Sequence, residues 1–294
     1  MNYQILSNVM LTFFVSKEEE GEKLLSFLRK NIQYPVKWIK RGIEGRLCRI
    51  NGRVEVFSTH PLKAGQKITY DDSQMSSFEK ARKEIPKPAI LYEDDELLII
   101  DKPSGITSEE IKGNYFLVHR LDKGTSGALI LAKTDEMQEK MKALFKKKAV
   151  KKAYLAIVDG TFEEKKGTID IPLGMKRRVQ DQIYWGPVPL KRGGKEALTD
   201  WYCLKNGQEA ALVRCFPQTG RTHQIRIHLK EIGHPILGDD QYSKHFLSSY
   251  PAPRILLHAS YLSFIQPVSK KLIEIKTPLP SDFQKAIKIL RLYH

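Results

Sequence analysis

Cysteine is scarce in this 294-residue chain: Cys48, Cys203 and Cys215 form no CxxC pair. A disulfide framework is therefore excluded. Long apolar runs are missing as well. The longest, such as Val9–Val15 and Ala128–Ala132, fall far short of the ~20 residues a membrane span needs. The opening MNYQILSN has neither the basic start nor the small-residue cleavage site of a secretory signal, so a soluble, cytoplasmic protein with no membrane partner is expected. GxxxxGK[ST], GxGxxG and GxSxG do not occur. Nucleotide hydrolysis, dinucleotide redox chemistry and ordinary serine-hydrolase chemistry thus lack support. Acidic residues are the last shortage, 34 against 49 Lys+Arg, for a formal charge of +15.

That surplus attracts polyanions, and nucleic acid is the obvious one. It is locally dense: Lys140–Lys152 holds seven lysines and no acid, and residues 10–70 carry 12 basic against 6 acidic side chains. A basic surface alone specifies a class of partner and no activity. An apolar fraction of 41% is ample for a packed core and excludes wholesale disorder.

Composition divides the chain into residues 1–75, a linker over 76–88, and 89–294. In the first part, Leu24, Leu25 and Leu28 recur at helical spacing and predict an amphipathic helix. A second basic stretch follows Trp38 and Ile39, and INGRVEV sets Asn51-Gly52 between strand-like runs, a strong hairpin signal. The segment from Asp71 to Pro88 is polar and ends in two prolines, as linkers do. Beyond it come short strands separated by turns, with Leu97–Ile100 as a buried strand. Met137, Met141, Leu144 and Phe145 share one face of a helix capped by Thr134 or Asp135. Hairpin-like turns in place of regular βαβ spacing predict an α+β fold with a mixed, largely antiparallel sheet.

Two constellations could carry chemistry. In His119-Arg120-Leu121-Asp122-Lys123-Gly124-Thr125-Ser126-Gly127 a carboxylate stands between two cations in a turn flanked by apolar strands. Scaffold-held turns are where reacting groups sit, and Asp122 could serve as nucleophile or base. On this segment alone a plain salt-bridged turn is the favoured reading. In the second, TGRTHQIRIHL, Thr222 suits a helix N-cap, Ile225, Leu229 and Ile232 form an apolar stripe, and Gly233 suits the stop. Arg226 leaves that stripe. His223 and His228 are five apart, not the i,i+4 of a helical zinc pair, so no metal is expected. Gly238-Asp239-Asp240 lacks the ligand spacing of a calcium loop.

Taken in order, ILYEDDELLIIDKPSGI, HRLDKGTSGALILAKT, KKAYLAIV, TGRTHQIRIHLKEIGHPILGDDQY and RILLHASYLSF resemble the RluA-type family of RNA pseudouridine synthases over about residues 89–280. Residues 10–70 resemble the small α/β RNA-binding module named after ribosomal protein S-four, although Cys48-Arg49 stands where a more apolar strand is usual. The resemblance implies a pseudouridine synthase fold and the isomerisation of uridine to pseudouridine within RNA, with no cofactor and no metal. By motif, Asp122 is the essential carboxylate, Tyr154 stacks on the uracil and Arg226 pairs with the carboxylate. Arg120 enters the space that the extruded base leaves. RNA contacts are expected from His119, Lys123, Lys151, Lys152, Arg221 and His223, and from Arg41, Arg46 and Arg53 in the amino-terminal module.

Large-subunit ribosomal RNA is the expected substrate, transfer RNA the runner-up, and a monomer the expected state. One departure stands out. Only 13 residues separate Gly105 from His119, where many family members have a longer segment with a His-Pro-Gly stretch. A non-catalytic RNA-binding or ribosome-assembly protein on the same fold is the competing reading, and intact Asp122, Tyr154 and Arg226 argue against it.

Overall fold

The computed structural model describes residues 10–32, 34, 36–44, 47–72, 88–179, 182–243 and 245–293. The chain divides into two units, Met1–Ile85 and Pro86–His294. Most of the expected linker, residues 76–87, lies outside the described residues. Asp71, where the polar stretch begins, is instead the last residue of a strand.

The first unit contains β1 (Met10–Phe14), α1 (Leu24–Asn31), α2 (Val36–Glu44), β2 (Cys48–Ile50), β3 (Arg53–Val54) and β4 (Lys67–Asp71). Its four strands form an antiparallel sheet in the order β1-β4-β2-β3. Asn51 and Gly52 both take positive φ, 49° and 81°, the combination a two-residue hairpin with right-handed twist requires. Cys48 and Ile50 point inward and Arg49 outward, so this strand is half-buried by simple alternation. The buried face of α1 is Leu24, Phe27 and Leu28. Leu25 is only half-buried, packed at the edge of the core that Leu24, Phe27 and Leu28 enter.

The second unit is built on one ten-stranded sheet, so α+β describes the chain. Its elements are β5 (Ile90–Glu93), β6 (Leu97–Lys102), α3 (Ser108–Ile111), β7 (Phe116–Leu117), β8 (Ser126–Ala132), α4 (Asp135–Lys146) and β9 (Lys151–Asp159). They continue with β10 (Lys166–Asp170), β11 (Leu173–Val179), β12 (Gln182–Pro187), β13 (Leu198–Asn206), β14 (Ala210–Pro217), α5 (Gln224–Glu231), β15 (Leu257–Ile265), β16 (Leu272–Lys276) and α6 (Ser281–Ile289). The main path runs β10-β13-β14-β9-β15-β8-β6-β5, with β16 beside β15 and β7 beside β8; β11 and β12 form a separate hairpin.

Every pair in the large sheet is antiparallel except β8 with β15. This parallel pair joins two antiparallel halves, and local turn signals could not announce it. At the join Ala259 is in register with Gly127 on one side and Tyr154 on the other. Gly127 has φ 115°, and a Cβ there would run into the Ala259 backbone, so glycine is required. All seven residues of β8 are buried, which explains the continuous apolar run in place of alternation. Thr134 caps α4 by accepting a bond from Met137 N at 3.1 Å. Met137 and Met141 are fully buried beneath it.

Candidate active site

Asp122 lies in the turn entering β8, and the Lys-Pro-Ser-Gly corner after β6 holds that turn by its backbone. Ser104 Oγ donates to Gly124 O at 2.8 Å, and Gly105 N to Lys123 O at 2.7 Å. Ser108, the first residue of α3, accepts from Leu121 N at 3.0 Å and donates to Leu121 O at 3.2 Å. The segment after Gly105 thus delivers a hydroxyl that fixes the backbone of the residue before Asp122. Lys102 is wholly buried, with Nζ donating to Pro103 O and Ile106 O at 2.9 and 2.7 Å. Burial pulls its pKa down to about 8 against the opposing charge of Asp122.

Arg226 reaches this carboxylate from α5: Nη1 donates to Asp122 Oδ2 at 3.4 Å. Asp122 is 27% exposed, whereas Arg226 is 4% exposed. A helix-surface arginine is therefore ruled out, and a buried guanidinium needs partners. Asp239 supplies them, accepting from Nε at 2.7 Å and Nη2 at 2.8 Å, and Gln241 Oε1 accepts from Nη2 at 2.9 Å. The Tyr242 ring lies 4.9 Å from the guanidinium carbon. Burial works against the charge of Arg226, but the Asp239 bonds outweigh it and its pKa is raised.

The start of α5 differs from the expected Thr222 cap. His223 is the cap residue, with φ 57° and ψ 21°, and its side chain makes no capping bond. The Gln224 side chain takes over the local hydrogen bonding: Oε1 accepts from Arg221 N at 3.0 Å and Thr219 Oγ1 at 2.7 Å. Gly233, at φ 88°, ends the helix as predicted; Gly233 N donates to Lys230 O and His234 N to Leu229 O. The polar residues Gln224, Arg226 and His228 are all buried on α5, and each has a side-chain partner.

Asp122, Tyr154 and Arg226 face a common cleft of about 1310 Å³, whose walls also carry Arg120, Lys123, Lys148, Lys151, Lys152, Arg221 and His223. Tyr154 projects from β9, and burial, then the charge of Asp122, raises its pKa and keeps it a phenol. Arg120 is exposed and lies 3.7 Å from Glu109. Arg221 is also exposed, and its Nε donates to Glu196 O at 2.9 Å.

His119 lines the cleft too, but it is not the cation that a phosphate contact would use. Its Nε2 accepts the Ile130 amide at 3.0 Å, which requires the neutral ring. Burial, then Lys152, pushes its pKa down to about 3. Arg53 is exposed in the first unit. The Arg41 side chain and Arg46 lie outside the described residues.

Sequence reasoning missed Asp239, Gln241, Tyr242, Lys102 and Ser108. For Asp239 a signal existed: Arg226 leaves the apolar stripe of α5, and GDDQY carries the next acids beyond that helix.

A family model described as RNA pseudouridylate synthase matches residues 96–231. An uncharacterized RNA pseudouridine synthase of Synechocystis sp. is 34% identical over 273 residues, covering 85% of this chain and 83% of its own length. Ribosomal large subunit pseudouridine synthase C of Vibrio parahaemolyticus is 31% identical across 95% of this chain and 96% of its own. Among solved structures, human RNA pseudouridylate synthase domain containing 1 superposes with a TM-score of 0.59 at 26% identity, covering 71% of this chain and 97% of that one. With this extent of identity and this fold, the chain belongs to the RluA-type family of RNA pseudouridine synthases, isomerases that act on RNA.

Proposed function

We propose that Asp122 is the essential carboxylate of this isomerase and that its target is a uridine of large-subunit ribosomal RNA. The observation that carries the first part is the chain Asp122–Arg226–Asp239 at the wall of a cleft that also holds the Tyr154 phenol. The relatives named ribosomal large subunit pseudouridine synthase C and D support the second part. The first unit is an S-four-type RNA-binding module in this reading, and the enzyme works as a cytoplasmic monomer.

A base inside a stack cannot be reached, so the nucleotide is flipped out at a cost of a few kcal/mol. Stacking on an aromatic ring returns ~1–3 kcal/mol, a role for Tyr154, and Arg120 fills the vacated space. Asp122 acts on the sugar while the bond from C1′ to N1 breaks. The uracil turns over, C5 bonds to C1′, and the proton lost from C5 is balanced by one gained at N1; Tyr154 stands where it assists removal. Hydrolytic glycosidases use a second carboxylate to activate water or protonate the leaving group. Here the leaving base is recaptured, so one acid is enough and water must be kept out. Lys148, Lys151 and Lys152 at the cleft wall meet the phosphate backbone.

Tritium release from C5-labelled uracil in a large-subunit ribosomal RNA transcript tests this reading. Wild-type protein releases tritium and Asp122→Asn does not. Undiminished release by Asp122→Asn removes that residue from the mechanism, and release from transfer RNA alone moves the target.

A further inference from the structure

His223 has a backbone conformation that residues with a Cβ seldom adopt, φ 57° and ψ 21°. Such strain persists where the surroundings over-determine it, and it clusters at functional sites. What holds this ring is Tyr242: Nδ1 and the phenol oxygen are 2.7 Å apart, with the rings edge to face. Tyr242 is itself held under the guanidinium of Arg226.

The proton between the two rings can be assigned. Burial raises the phenol's pKa, so Tyr242 keeps its proton. Burial also lowers the pKa of His223, so the imidazole is neutral, with Asp122, Arg226, Asp239 and Arg120 as the charges around it. Among the described residues the phenol has one side-chain hydrogen-bond partner, Nδ1. The O–H therefore donates to Nδ1, and the ring's own proton sits on Nε2. Nε2–H makes no hydrogen bond among the described residues, and the ring lines the cleft together with Asp122.

A neutral donor and a carboxylate facing one cleft select the group that fits between them. A phosphate oxygen would satisfy the imidazole and be repelled by the carboxylate. A hydroxyl accepts from one and donates to the other. Because Asp122 faces the sugar in the proposed function, on which this inference rests, that hydroxyl belongs to the ribose. We propose that His223 touches the substrate, donating from Nε2–H to the 2′-hydroxyl of the flipped uridine, and that this contact makes the enzyme read ribose at its target. The 2′-hydroxyl is the group by which a protein tells RNA from DNA at a given site.

The test uses the full-length protein and a short RNA spanning the mapped target, made with ribose or 2′-deoxyribose at that one nucleotide. The ratio of kcat/KM for the two RNAs is read by tritium release for wild type, His223→Gly and Tyr242→Phe. Glycine accepts the positive φ, so His223→Gly removes the ring without adding strain. One hydrogen bond corresponds to roughly a tenfold change. The ribose preference therefore falls about tenfold in His223→Gly and severalfold in Tyr242→Phe, where the ring proton is no longer directed. A preference unchanged from wild type in His223→Gly overturns the proposal. Activity of Asp122→Asn on the ribose RNA is scored separately: its persistence defeats the carboxylate's role while leaving the His223 ratio to be read on its own.

Discussion

Asp239 takes two donors of the Arg226 guanidinium at 2.7 and 2.8 Å, whereas Asp122 takes one at 3.4 Å. The arginine is thus anchored by a residue that faces the protein interior and lends its remaining edge to the cleft. This division leaves the Asp122 carboxylate partly open to substrate while its neighbour stays fixed.

Asp239→Asn should therefore harm both stability and turnover. Removing one partner of a buried pair costs about 3–5 kcal/mol, because the other charge is left uncompensated. The freed guanidinium would swing toward Asp122 and occupy the oxygen that, in the proposed function, acts on substrate. We expect a melting temperature several degrees lower and kcat down at least about tenfold, with KM little changed, when measured well below the new melting point. Wild-type kcat in this variant would show that Asp239 anchors nothing that matters to catalysis.

Acid should loosen the fold at the join of the two half-sheets. His258, on β15, is fully buried with Nδ1 3.0 Å from Ser126 Oγ. Burial pushes its pKa down to about 4 from 6.5. The unfolded chain binds this proton more readily than the folded one. Stability is therefore complete above about pH 6.5 and is lost as pH falls toward 4, by about 3 kcal/mol from this group. Thermal melts from pH 8 to pH 4.5 should show the decline, and His258→Gln should have a shallower slope below pH 6.5 whatever its absolute stability. Parallel slopes for the two proteins would assign the acid sensitivity elsewhere.

Removal of residues 1–85 should weaken RNA binding and flatten its dependence on salt, since phosphate-neutralising cations are lost with that unit. The measurement is affinity for the ribosomal RNA transcript at several salt concentrations. An unchanged affinity and slope would deny the first unit an RNA-binding role.

The features of fold and site that were legible beforehand are those written as consecutive residues. Asp122 with its flanking cations, the Arg226 helix and its Gly233 stop, the Asn51-Gly52 turn and the Thr134 cap each depend on neighbours within a few positions. Long-range facts were not legible. Nothing local indicates that β8 and β15 run parallel, or that Arg226 gives Asp239 two donors and Asp122 one. Thr222 looked like a cap because its side chain suits one, yet tertiary contacts turned His223 into the left-handed region and gave Gln224 the hydrogen bonds. His119 was expected among the RNA contacts, and the backbone amide it accepts from on β8 holds its ring neutral.

The lone parallel pairing also has a bearing on how the enzyme is made. Asp122 and Tyr154 leave the ribosome long before residue 257, and the strand that sets their spacing is β15. Contacts so distant in sequence form late and slowly, and chains fold in the order of their synthesis. A nascent chain halted before β15 would thus already display its basic surface while Asp122 and Tyr154 stood unaligned. In the proposed function, competence to modify RNA arrives only with β15, so products truncated before it would occupy RNA without altering it.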